Sequence, residues 1–402
     1  MIGDGWDDTP SVRPGGRESE AAAPGAKLRV CVVTGTRAEF GLLKPVMRAI
    51  HGHANLELAV IAAGSHLVSP ALTLHEVKKH FNIAEVVPMQ IAGKTGRAED
   101  VESTARGVAR FGRAFVNLRP DWVIVLGDRI EAFAAGIAAS IGGFALAHIH
   151  GGDRAEGIAD ESMRHALTKL AAIHFPASPM SAERIVRMGE DATRVHLVGS
   201  PAMDELGAIE VLPEEEYTAL GSPTAVFLMH PVGQPLEVEE AQASAVLDGL
   251  RDERVVALMP NFDPGRDGVV RAIGAATSSR TNVVVAEHLP REKFVGLLKR
   301  IRTAKGVLVG NSSAGLIEAA ALRVPVVDIG SRQSGRERVG NVVHTPFAQS
   351  DAVRQAVAKA RGLDLSNLAH PYGDGSSGKK IAKVLASVSP RDGQLLRKRC
   401  AF

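Results

Sequence analysis

The stretch FALAHIHGGDRAEGIADESMR, residues 144–164, joins a buried strand to a dense charged cluster. Residues 144–147 are an apolar run of the kind that a parallel sheet covers on both faces. From His148 to Arg164 the chain then holds two His, four acidic residues and two Arg. Open α/β sheets bind ligands at the carboxyl ends of their strands, where this cluster falls. A solvated loop leading into a charged helix face would account for the charges alone. Gly151 and Gly152 speak against that, because they let the backbone turn sharply and approach a ligand. Helical spacing puts Asp160, Arg164 and Leu167 on one face, and Glu161, His165 and Thr168 on another. Carboxylates and imidazole that converge on one cleft suit proton transfer better than they suit solubility.

Outward from this stretch, short β-branched runs alternate with longer amphipathic segments. Strands are expected at 28–33, 56–62, 122–126, 144–148, 172–176 and 195–198, then at 225–229, 255–258, 283–286, 307–309 and 325–329. Helices are expected between them, for example over 42–51, 132–140 and 295–303. Strand–helix–strand alternation predicts parallel sheets with right-handed crossovers. The strands are too many for one comfortable sheet. Segment 208–224, with Pro213, three consecutive Glu, Gly221 and Pro223, reads as a linker. The expected class is therefore α/β: two Rossmann-like, doubly wound domains, 27–207 and 208–402, facing a cleft. An eight-fold α/β barrel is the rival, and the charged interruption in mid-chain opposes it.

Composition narrows the partners. With 402 residues the chain can bury two cores, and a hydrophobic share of 45% is that of a folded globular protein. The net charge of +2 gives no electrostatic footprint for nucleic acid, and 4% aromatics are too few for a base-stacking platform. Two cysteines, Cys31 and Cys400, make neither a disulfide framework nor a zinc site, so a cytoplasmic location is expected. The first 26 residues lack the apolar segment of a signal peptide and read as a disordered tail. No run approaches the roughly 20 apolar residues of a membrane span.

Other strand ends carry chemistry too. VCVVTGTRAEFG (30–41) reads as strand, tight turn at Gly35 and helix, with Arg37 near a helix start that already favours anions. The glycine spacing matches neither a dinucleotide fingerprint nor a P-loop, and Arg37 reads equally as a structural residue. VLGDR (125–129) places Asp128 and Arg129 after a buried strand; a simple ion pair is the alternative. In VLVGNSSAGLIEAAALRVPVV (307–327), Asn311–Ser313 supply cap chemistry for a helix containing Gly315 and Glu318. Such an N-terminus holds phosphate through backbone N–H groups, and Glu318 can reach ribose hydroxyls. DIGSRQSGRERVGN (328–341), with three Arg and three Gly, reads as a diphosphate clamp or closing loop. His230 in MHP and Asn261 in PNFDPG would line the same cleft.

The motifs GTRAEFGLLKP, VLGDRIEAFAA, HIHGG…DESMRHALTKL, HFPAS, VGSP, MHP, PNFDPG, VGNSSAGLIEA and DIGSRQSGR occur in order. In this the chain resembles the hydrolysing UDP-N-acetylglucosamine 2-epimerases of sialic and legionaminic acid pathways, from about Leu28 to the end of the second domain. The resemblance implies a glycosyltransferase-B-like fold with the nucleotide sugar between the domains, and a last helix near 379–387 that packs back on the first. It implies that Arg37, Arg129, His230, Asn261, Ser312, Ser313, Glu318 and Arg332, with Gly315, hold the UDP of the substrate. It makes Asp128, Asp160 and neighbouring Glu161 the carboxylates of proton transfer, and His230 part of the catalytic set. His150 departs from the family, where several members carry Glu in HIEGG, and imidazole can serve as acid or base near neutral pH. MHPVGQPLE is a second departure, where relatives have a Thr-rich sequence.

The expected reaction needs no cofactor and no metal: UDP-N-acetylglucosamine, or a close analogue, gives the free 2-epimer and UDP through a glycal. A non-hydrolysing epimerase, a glycosyltransferase and a catalytically silent nucleotide-sugar binding protein are the alternatives. Loops 64–70 and 94–100 are expected to bound the sugar, with a diacetamido-trideoxy sugar or a GDP-linked counterpart as rival substrates. The resemblance also implies a homo-oligomer, dimer or tetramer, with no membrane or nucleic-acid partner.

Overall fold

The computed structural model describes residues 26–401 except 70, 95, 156–159, 262 and 288; it does not describe the side chain of Asp160. The expected tail thus lies almost wholly outside the described residues. Within them the strands form two parallel six-stranded sheets. The first comprises β1 (Leu28–Thr34), β2 (Leu56–Ala63), β3 (Ile83–Val87), β4 (Trp122–Leu126), β5 (Ala145–Ile149) and β6 (Ile173–Phe175), in the order β3-β2-β1-β4-β5-β6. The second comprises β7 (Ala225–Leu228), β8 (Val255–Leu258), β9 (Val283–Ala286), β10 (Val307–Gly310), β11 (Val326–Ile329) and β12 (Val342–Thr345), in the order β12-β11-β10-β7-β8-β9. Each is a Rossmann-like, doubly wound sheet, and the barrel is excluded. The strand order reverses between β1 and β4 and again between β7 and β10, the switch points at which such sheets take ligands.

The central strands are apolar throughout because both faces are covered. Val30 and Val32 of β1 pack with Trp122 and Ile124 of β4 on one side. Cys31 and Val33 pack with Val123 and Val125 on the other. The edge strands β3 and β12 lack that signature and escape the sequence reading for this reason: in each, exposed and covered residues alternate. The expected strand at 195–198 is absent; Val195 makes one isolated bridge to His174 before the chain turns away.

The chain crosses between halves twice. Val198 belongs to the first core, whereas Ala202, Met203 and Leu206 pack in the core of the second half, ahead of the 208 boundary read from sequence. The expected linker is itself structured, with Leu212 and Tyr217 buried in that core. On the return, Ser377–Ser387 forms a helix along helix Arg37–His51, where a Cβ on Gly378 would sit 2.8 Å from the Pro45 carbonyl. Ile381, Ala382 and Leu385 complete the first core, and Trp122 Nε1 donates to the Leu385 carbonyl at 3.2 Å.

The chain beyond that helix stays on the first half. Lys398 and Lys169 each place Nζ 2.6 Å from the buried Glu190 carboxylate, and His174 Nε2 lies 3.0 Å from it. Burial opposes that charge, but these three donors pull the Glu190 carboxyl down to about 2. A depressed carboxyl contributes stability that is fully present above its unfolded value near 4.5 and is lost as pH falls toward 2. Glu190→Gln is therefore expected to lower stability at neutral pH and to flatten its dependence between those two values, as read by urea unfolding across that range.

Candidate functional site

Three strand ends of the first sheet build one wall of the cleft. After β1, Thr36 caps the helix through its hydroxyl, and Gly35 N–H donates to Glu39 Oε2 at 2.9 Å. Arg37 opens that helix, and burial lowers its pKa against the attraction of Glu76 and Glu292. Burial, with Glu131 nearby, pushes the Glu39 carboxyl up to about 8 despite the Gly35 donor. Glu131 is fully buried, its carboxyl raised by burial, and it fills the space where a Cβ on Gly35 or Gly64 would stand. Neither glutamate was singled out from sequence.

After β4 the backbone turns at Gly127, φ +75°, and presents Asp128. His148 fixes this turn: burial drives its imidazole down to about 3, so the ring is neutral. Its Nε2–H donates to the Gly127 carbonyl at 2.7 Å, while Nδ1 accepts from the Thr168 hydroxyl at 3.2 Å. Asp128 forms an ion pair with Arg164, whose side chain is only 4% exposed. Arg164 is pushed down by burial and by the nearby charges of Arg336 and Arg332. Sequence spacing had placed Arg164 on a helix face without revealing this partner.

After β5, His150 adopts φ +63° and is buried. Its Nδ1 lies 2.9 Å from Asp153 Oδ2 and its Nε2 3.0 Å from Ser200 Oγ. Gly152 turns at φ +74°, as the sequence required of it. Glu161 accepts from Ala155 N–H at 2.5 Å and faces His165 Nε2 at 3.1 Å, so its carboxylate closes the base of the loop. Asp160 opens helix Asp160–Leu170; its side chain lies outside the described residues.

The second half supplies the facing wall. At the end of β7, His230 N–H donates to Asn311 Oδ1 at 2.7 Å and His230 Nδ1 accepts from Asn261 N–H at 3.2 Å. Burial, reinforced by Arg332, pushes the His230 imidazole down to about 3. With Nδ1 accepting, the neutral ring carries its proton on Nε2. Asn261 Nδ2 donates to Asp263 Oδ2 at 2.5 Å, and the other oxygen of Asp263 pairs with Arg129 of the first half at 2.5 Å. The Arg129–Asp263 bridge thus joins the walls.

At the end of β10, Ser312 caps the next turn through Ala314 N–H at 3.4 Å. The expected single helix is two short ones, Ser313–Leu316 and Glu318–Ala321, with the break at Ile317 (φ −102°, ψ −73°). Glu318 therefore begins the second piece, its carboxyl raised by burial against the pull of Arg291. Gly315 brings the first piece close to β11, where a Cβ would meet Val326 at 3.0 Å. The three arginines of segment 328–341 diverge. Arg332 Nη1 donates to the Asn311 carbonyl at 3.2 Å, and Arg338 Nε binds Asp328 at 2.9 Å, away from the cleft. Arg336 Nε reaches the first half, donating to the Arg154 carbonyl at 2.8 Å.

In the expected sugar-side loop 64–70 two polar side chains have partners within the protein. Ser65 spends its hydroxyl on the Gly35 carbonyl at 2.8 Å, and His66 sits between Thr34 and Thr73 at 3.0 and 2.7 Å. Pro70 and Thr95 of the two expected sugar loops lie outside the described residues.

Two Rossmann-like sheets facing one cleft define a glycosyltransferase-B-like class of protein. Residues 48–386 match the pattern of the UDP-N-acetylglucosamine 2-epimerase family, and the chain belongs to that family. It is similar to a hydrolysing UDP-N,N'-diacetylbacillosamine 2-epimerase of Legionella pneumophila, 30% identical over 385 residues, 93% of this chain and 99% of that one. It is also similar to a UDP-N-acetylglucosamine 2-epimerase of Neisseria meningitidis serogroup B, 31% identical over 340 residues, 82% and 87% of the two chains. The fold matches a Methanocaldococcus jannaschii UDP-GlcNAc 2-epimerase solved with UDP-GlcNAc and UDP, at TM-score 0.73 and 18% identity, covering 90% of this chain and all of that one (100%).

Removing one partner of a buried ion pair strands the other charge, at about 3–5 kcal/mol. Arg164→Met is expected to lower unfolding free energy by about that much, and Arg164→Met/Asp128→Asn to recover part of it, in denaturant titrations.

Proposed function

We propose that this protein is a hydrolysing 2-epimerase of a UDP-linked 2-acetamido sugar. A carboxylate takes the proton from sugar C2 as the C1–oxygen bond to UDP breaks, leaving a glycal. Water then adds hydroxyl at C1 and a proton returns to C2 from the opposite face, giving the free 2-epimer and UDP. Asp128 and Asp160 are the proposed proton carriers. His230 Nε2–H, Arg129, Arg332 and the turn at Ser312 and Ser313 are proposed to stabilise charge on the departing diphosphate. Arg37, Asn261, Gly315 and Glu318 belong to the proposed nucleotide wall.

The observation that carries this proposal is the placement of Asp128. A turn locked by His148 presents its carboxylate at the switch point of the first sheet. The neighbouring Arg129 bridges to the Asp263–Asn261–His230 cluster of the other half. The groups proposed for acid–base work and for holding the diphosphate thus face one cleft.

No helix among the described residues is long and apolar enough to cross a membrane. Cys31 and Cys400 are both free, which suits the reducing cytoplasm proposed as its location. A homodimer is part of the same proposal; Val116 and Ile141, 53% and 82% exposed on helices Arg97–Leu118 and Ile130–Ile141, are apolar positions that a second copy could cover.

Incubation with UDP-N-acetylglucosamine in deuterium oxide, followed by proton NMR, is expected to yield UDP and free N-acetylmannosamine in equal amounts, with deuterium at C2. Sugar still joined to UDP supports the non-hydrolysing alternative, and binding without exchange supports a silent nucleotide-sugar protein. Running the 2,4-diacetamido-trideoxy analogue and a GDP-linked counterpart in parallel ranks the substrates. Asp128→Asn is expected to reduce turnover on the order of 10²-fold or more, and near-normal turnover removes Asp128 from the catalytic set.

A further inference from the structure

We propose that His150, Asp153 and Ser200 form a tether between the loop after β5 and the crossing between halves, with His150 as a positioning residue and not a proton carrier. The inference rests on the hydrolysing-epimerase reading for its kinetic test alone.

The hydrogen bonds assign the ring. Asp153 accepts on both oxygens: Oδ1 from the Ser181 hydroxyl at 2.7 Å and Oδ2 from His150 at 2.9 Å. Arg336 of the second half stands 3.9 Å away. A carboxylate in that setting only accepts, so Nδ1 of His150 carries hydrogen and donates. In the neutral ring Nε2 then holds a lone pair, which takes the Ser200 hydroxyl proton at 3.0 Å. Ser200 Oγ in turn accepts Ala202 N–H at 3.2 Å. Both ring nitrogens are therefore spent on protein partners, and the residue is only 6% exposed. Reaching a sugar carbon would break buried hydrogen bonds and leave their partners unsatisfied. His150 also holds φ +63°, a strained conformation for a non-glycine residue that persists only where surrounding contacts fix it.

What the ring ties together is the second point. Ser200 begins the outbound crossing, and its N–H donates to the carbonyl of Tyr372, on the return crossing, at 2.9 Å. The Tyr372 hydroxyl donates to the Glu337 carbonyl at 2.9 Å, beside Arg336. From Ser200 and from Asp153, both ends of the tether lead to the same segment of the second half. The position of loop 150–155, and of the Glu161 carboxylate bonded to its last residue, is thereby coupled to how the halves meet.

Two variants cut the same link from opposite sides. His150→Asn keeps an amide donor facing Asp153 and loses Ser200; Ser200→Ala removes the hydroxyl. Each is expected to lower kcat on the order of 10- to 100-fold with KM nearly unchanged, because misplacement of about 1 Å suffices for that loss. The double variant is expected to match the single ones, and C2 deuterium exchange to fall in step with UDP release. Loss above about 10³-fold with abolished C2 exchange in His150→Asn alone, beside a near-normal Ser200→Ala, makes His150 a proton carrier and overturns the proposal. Multiplying losses in the double variant overturn it as well. Amide hydrogen exchange reads the tether without substrate: both variants are expected to speed exchange across 150–155, and unchanged rates refute it. A wild-type protein that releases no UDP from any of the three sugars refutes the functional reading, while the exchange result still decides the tether.

Discussion

Two backbones pass each other between the halves with no side chain between them. Gly199 on the way out has φ +85° and Gly373 on the way back has φ +93°; a Cβ on Gly199 would stand 2.8 Å from the Gly373 Cα. Glycine is the residue that meets both demands, positive φ and bare contact. Around this crossing the Asp204 carboxylate accepts Ser377 N–H and Gly378 N–H at 2.8 and 2.7 Å, capping the last helix from a distant part of the chain. Arg291 fastens the second half by donating to the Ala202 and Asp204 carbonyls at 2.6 and 3.1 Å. The facing of the two sheets, and so the width of the cleft, is set here.

Given that geometry, the cleft concentrates opposed charges that ordinary surfaces keep apart. Arg164 lies deep enough, and close enough to Arg332 and Arg336, to have its pKa lowered. Asp263 stays ionised despite burial because Arg129 pairs with it and Arg332 stands near. In that set Asp263 offsets the charge of the arginines that flank it. Behind this front, Glu39 and Glu131 are pushed toward their protonated forms, so the wall under Gly35 adds little negative charge to the cleft.

Much of this was legible in the sequence, and the boundary of legibility is physical. The central strands read clearly because burial on both faces leaves only apolar residues. β3 and β12 did not, because in each of them alternate residues are left exposed. Asp128, Arg129, His230, Asn261 and Ser312 were readable because each ends a recognisable strand. Partnerships were not: His150 meets Ser200 across 50 residues and Arg129 meets Asp263 across 134, and no local pattern encodes either. Asp153 and Glu131 went unnoticed, and Arg164 was placed on a helix face without its partner, for the same cause: a polar residue looks like solvated surface until its distant partner is known. The expected single helix containing Gly315 and Glu318 breaks at Ile317, where favourable local propensity gave way to packing of the 313–316 turn on β11.

The return of residues 377–401 to the first half has a consequence for biosynthesis. A chain made from its N-terminus emerges with β1 to β6 complete while the helix that fills the groove beside Arg37–His51 is still unmade. The second half, whose core runs from Ala202 to Tyr372, has all its parts sooner. Each new molecule thus passes through a stage with one closed half and one open, the faces of Leu43, Met47 and Trp122 still uncovered. Exposed apolar surface of that kind invites association between neighbouring nascent chains. Helix Ser377–Ser387 is then the piece that ends this vulnerable interval.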